Sequence, residues 1–205
     1  MEKDKRHHSF RENYFQDHSR KIVLGEDGNP KVEYVYEGIY RTLDGTDQQW
    51  KLSKLGYSFL TVAGAFSLIS AMMTETPCNH IKDLALLQAL SLLLYFGAGI
   101  GVFSRIMAPR RMTRWEYRMG VATLQEFSLL LLISMGILLV DGTVSALTGR
   151  TVLDAAAVFM WLKIVLSFVL MLFQYRKLKR ETYLEQISDD LPHGIDITND
   201  FEAMP

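Results

Sequence analysis

The chain has 205 residues, 49% of them hydrophobic and 22% charged, with a formal net charge of −1. Without a basic excess it does not read as a general nucleic-acid binder, and no nucleic-acid partner is expected. A single cysteine, Cys78, excludes an internal disulfide framework, a CxxC redox centre and a cysteine-based zinc site.

Residues 1–21 carry six basic and four acidic side chains and no apolar run. They lack the apolar segment of a secretory leader, and 1–19 is expected to be a flexible cytoplasmic N-terminus. Residues 20–45 read as a cytoplasmic β-hairpin. Lys21-Ile-Val-Leu24 leads into the turn-forming Gly25-Glu-Asp-Gly-Asn-Pro30, after which Val32, Tyr34 and Tyr36 alternate with Glu33, Val35 and Glu37. An isolated hairpin is marginal in water, so this one is expected to lean on its own bundle, on headgroups or on another protein. Tyr34, Tyr36 and Tyr40 are its candidate partner surface.

Residues 46–180 contain four apolar stretches, about 55–74, 84–104, 119–140 and 155–175. A hydrocarbon core of about 30 Å needs roughly 20 apolar helical residues, and all four are long enough. The expected fold is therefore an all-α integral membrane protein, a four-transmembrane-helix antiparallel bundle. Thr46-Asp-Gln-Gln49 and Thr113-Arg-Trp-Glu116 match capping-box spacing at the starts of spans 1 and 3. They place Trp50 and Trp115 near headgroup level, and Pro109 closes span 2.

Lys and Arg near the span ends set orientation. Arg41, Lys51 and Lys54 precede span 1. Arg105, Arg110, Arg111, Arg114 and Arg118 join spans 2 and 3, and Arg176, Lys177, Lys179 and Arg180 follow span 4. The opposite loops have only Lys82 and Arg150, so the balance is twelve to two. Both termini and the 105–118 loop are expected in the cytoplasm, at the cytoplasmic membrane. The same basic residues are candidate contacts for anionic lipid. Beyond them, 181–205 holds seven acidic residues and no basic ones, an acidic and largely disordered tail.

Two charges fall inside the spans. Glu126 and Lys163 can form an ion pair orienting helices 3 and 4, or take part in ion or solute transport, with Gln125 beside them. Gly97 and Gly101 form a GxxxG motif in span 2. With Gly56 and Ser67 of span 1 they are expected to form a helix 1–helix 2 contact or a dimer seam. His7, His8, His18 and His80 do not assemble a metal site, Cys78 reads as an exposed loop thiol, and no cofactor is expected. The chain lacks GxSxG, HExxH, Walker A and GxGxxG patterns, so no catalytic residue is assigned.

The expected function is association within the bilayer, as an accessory subunit, assembly factor or regulator, with a membrane-protein partner or another copy. The alternative is a small oligomeric transporter or channel using Glu126 and Lys163. An enzyme acting on lipid through the Arg-rich loop is the third reading.

Overall fold

The computed structural model describes residues 17–24, 29–150, 154–188 and 195–196. Most of the expected flexible N-terminus, residues 25–28 and 151–153, and the acidic tail apart from 181–188 and 195–196 lie outside the described residues; the described part of the tail is not disordered but contributes two strands. The chain divides into two compact units, one of residues 43–110 and 116–183, the other of 1–42, 111–115 and 184–205.

The first unit is helical. Its long helices are α1 (Asp47–Met72), α2 (Lys82–Met107), α3 (Arg114–Leu147) and α4 (Ala155–Arg180), each long and apolar enough to cross a membrane. They overlap the expected stretches but run past them, because polar residues at the ends continue the helices. The Thr46 capping box forms as read: Thr46 Oγ1 accepts from Gln49 N, and Gln49 Oε1 accepts from Thr46 N. At the other end of α1, the Asn79 side chain donates to the carbonyls of Ala71, Met72 and Thr74, adding to the backbone bonds that close the last turn. Gln88 Nε2 in turn holds Asn79 Oδ1 at 3.1 Å, fixing the α1–α2 connection. Cys78 lies in the short 3-10 turn Pro77–His80 of this connection and is fully buried, not the exposed thiol expected.

Consecutive helices are antiparallel, and α1 also packs on α4. Polar side chains stitch the interior. Thr61 Oγ1 donates to Gln174 Oε1 (2.9 Å), and Gln174 Nε2 donates to Ser128 Oγ (3.1 Å). Ser167 Oγ donates to the Gly64 carbonyl, so the Tyr95 hydroxyl, 2.7 Å away, donates to Ser167. Ser91 likewise spends its proton on the Leu87 carbonyl and accepts from Ser134. Interhelical bonds of this kind contribute on average about 0.6 kcal/mol each in membrane bundles.

The GxxxG motif faces α3, not α1. A β-carbon on Gly101 would lie 2.8 Å from the Leu124 backbone nitrogen, and one on Gly97 would enter the Phe127 ring. Small residues license a close approach without naming the neighbour, which here is the next helix along. Gly56 and Ser67 lie instead against α4: Lys177 Nζ reaches over Gly56, and Ser67 Oγ donates to the Lys163 carbonyl.

In the second unit, β1 (His18–Leu24) and β2 (Pro30–Tyr36) form the expected antiparallel hairpin, in register from His18–Tyr36 to Leu24–Pro30. β6 (Ile195–Asp196) adds to the free edge of β1. The chain then bends at Glu37-Gly38 into β3 (Ile39–Leu43), which lies between β4 (Arg111–Met112) and β5 (Tyr183–Ile187) in a second sheet. This second sheet, built from three distant segments, has no local sequence signature. Within it Arg41 pairs with Glu185 at 2.8 Å. Of the proposed tyrosine surface, Tyr34 is 53% exposed, but Tyr36 is buried. The Tyr36 ring lies 5.1 Å from His18 and 4.7 Å from Tyr40, and its hydroxyl donates to the Ile39 carbonyl.

Candidate functional site

A polar constellation of the helical unit surrounds Arg105, near the C-terminus of α2. It is the largest fully buried side chain in the described structure. Local geometry explains how an arginine is enclosed there. α3 contains a π-helical turn over Arg118–Ala122, and it sets Gly120 directly against α2. A β-carbon on Gly120 would stand 3.1 Å from Arg105 Cα, so the two backbones meet with nothing between them. The guanidinium is thereby turned inward, between α1 and the end of α4.

Glu181, the residue that ends α4, answers it. Arg105 Nη2 lies 2.7 Å from Glu181 Oε2 and 3.0 Å from Ser53 Oγ, and Nη1 donates to the Tyr183 hydroxyl at 2.9 Å. Glu181 Oε1 accepts from Ser53 and Tyr57, and Oε2 accepts from Arg105 and Tyr183. The guanidinium also lies 4.8 Å from the Trp50 ring and 4.7 Å from the Tyr57 ring, within cation–π range. Arg105 Nε is buried without a partner among the described residues. Burial pushes the Tyr183 phenol well above its usual range; Arg105 opposes that shift and Glu181 adds to it.

Every acceptor position of Glu181 is thus occupied, and its charge is balanced by a cation that does not deprotonate. A carboxylate so fully committed has no lone pair left for a substrate proton. The cluster is a latch that ties the end of α4 to α1 and α2. Sequence reasoning missed it, assigning Arg105 to topology or lipid and Glu181 to the tail. The legible signal was modest: Arg105 lies one residue beyond an uncharged run.

Glu126 and Lys163 do not meet. Lys163 Nζ donates to the Ser70 carbonyl and Thr74 Oγ1, both at 3.1 Å, near the C-terminus of α1, whereas Glu126 is exposed on α3. Helical side chains lean toward their own N-terminus. α3 and α4 are antiparallel, so the two side chains lean apart. Gln125, half-buried, borders Glu126.

The basic residues divide. Arg105 is enclosed, and Arg110 bonds Asp47 at 2.6 Å and the Gly45 carbonyl. In the β unit Arg111 stacks on Tyr40 at 3.9 Å, and the Arg114 backbone N–H donates to the Tyr36 hydroxyl. Arg118, Arg176, Lys177, Lys179 and Arg180 are exposed. Among the described residues no cluster of three or more His, Cys, Asp or Glu side chains is placed to hold a metal. No protein family matches this chain, and no curated protein or solved structure is significantly similar to it.

Proposed function

We propose that this chain is a small multi-pass protein of the cytoplasmic membrane, N-in and C-in, that acts by association rather than catalysis. The surface of the helical unit supports insertion. Phe59, Val62 and Phe66 on α1, Phe96 and Phe103 on α2, and Phe159 and Leu166 on α4 are exposed, while serines, Gln88 and Gln174 are buried. Twelve Lys and Arg at one set of helix ends support the orientation.

The observation that carries association is the position of Glu126. It continues the exposed stripe Leu130, Ile133 and Ile137 at spacings of four, three and four residues, one face of α3. A carboxylate on such a face costs a few kcal/mol in lipid. A helix of another protein, or of a second copy, offering a donor or cation at that depth offsets the cost. The transport alternative uses the same Glu126 together with Lys163, whose ammonium is bonded to Ser70 and Thr74 of α1.

The test is site-specific photo-crosslinking in native membranes, with a crosslinking amino acid at position 126 and, as a control, at Phe159. A discrete protein adduct from 126 and none from 159 is expected. Lipid adducts alone from both positions would refute the proposal.

A further inference from the structure

A second surface, independent of Glu126, lies on the α1–α4 seam. On α4, Phe173, Arg176, Lys177 and Arg180 share one face at i, i+3, i+4 and i+7, and all four are exposed. On α1, Leu52, Leu55, Gly56 and Phe59 form the matching stripe, its three large residues 59%, 68% and 69% exposed in that order. The helices are antiparallel, and the two stripes meet at one level: Lys177 Nζ lies 2.8 Å from where a β-carbon on Gly56 would be. The ammonium rests 4.7 Å from the Tyr57 ring centroid.

From that level the seam changes character along its length. Phe59 and Phe173 lie toward the middle of the bundle, and Lys177 and Arg180 lie toward its basic end. Neither cation pairs with a carboxylate among the described residues, in contrast to Arg105 and Arg110. A cation held beside exposed apolar side chains, with a second one helical turn beyond it, matches a phosphate attached to acyl chains. An inorganic anion would not use the two phenylalanines.

We propose that the α1–α4 seam binds one anionic phospholipid, its phosphate between Lys177 and Arg180 and an acyl chain along Phe173 and Phe59.

Native mass spectrometry of the full-length protein in detergent, titrated with dioleoyl phosphatidylglycerol or dioleoyl phosphatidylcholine, tests this. One phosphatidylglycerol should be retained in clear preference to phosphatidylcholine. Lys177→Gln and Arg180→Gln should each weaken that retention about fivefold, the effect of one cation near a headgroup. Arg118→Gln, a basic residue of α3 off the seam, should leave it unchanged. Equal retention of the two lipids, or an Arg118→Gln loss as large as that of Lys177→Gln, would overturn the proposal. Displacement of the lipid by millimolar inorganic phosphate would overturn it too, since the chains would then contribute nothing.

Discussion

Replacing Glu181 by Gln preserves size and one oxygen acceptor while removing the charge that faces Arg105. The guanidinium side chain is 1% exposed and the carboxylate side chain 11%. Arg105 cannot shed its proton, so Glu181→Gln leaves a cation enclosed beside Trp50 and Tyr57 with no counter-charge. Breaking a buried pair in this way costs about 3–5 kcal/mol. Arg105→Met is milder. Glu181 keeps the hydroxyl donors Ser53, Tyr57 and Tyr183 and can take up a proton. Its expected cost is about 1–3 kcal/mol, that of a polar group left partly satisfied. The double variant leaves neither charge unmatched and should recover at least about 2 kcal/mol of the summed loss. Equilibrium unfolding of the detergent-solubilised protein, followed by tryptophan fluorescence, reads all three. A Glu181→Gln loss smaller than that of Arg105→Met, or strictly additive losses, would refute the latch.

Gly101→Ala should destabilise the bundle by about 1–3 kcal/mol, because the added carbon meets Leu124 backbone, whereas Gly99→Ala, in open space, should be neutral in the same unfolding assay. Lys163→Met should cost about 1 kcal/mol through the lost Ser70 and Thr74 bonds, and combining it with Glu126→Gln should give additive stabilities. Tyr183 has its folded pKa raised above the ordinary phenol value of about 10, so its stabilising effect is complete below that pH and is lost as pH rises toward the folded value. Unfolding free energy measured from pH 8 to 11 should therefore fall at the alkaline end, and Tyr183→Phe should fall less steeply.

The four helices were legible because a bilayer demands an uninterrupted apolar length, a property of consecutive residues. The capping box at Thr46 was legible for the same reason, since its partners are three residues apart. What escaped the sequence was pairing at a distance. Arg105 and Glu181 are 76 residues apart, and an arginine just past an apolar run looks the same whether it faces headgroups or a carboxylate. The GxxxG motif announced a close contact but not its partner. Glu126 and Lys163 looked complementary by charge, and the opposite lean of side chains on antiparallel helices separates them. β3, β4 and β5 each satisfy their backbone with strands from elsewhere in the chain, so no single segment declares the sheet.

Association through Glu126 is tested most directly by the mass of the particle released from native membrane. Native mass spectrometry of the protein extracted in membrane nanodiscs should show the chain bound to a second polypeptide, another protein or another copy. Glu126→Leu, which continues the apolar stripe Leu130, Ile133 and Ile137, should release it as a single chain with lipid. A wild-type chain found alone, or a complex unchanged by Glu126→Leu, would contradict association through this residue.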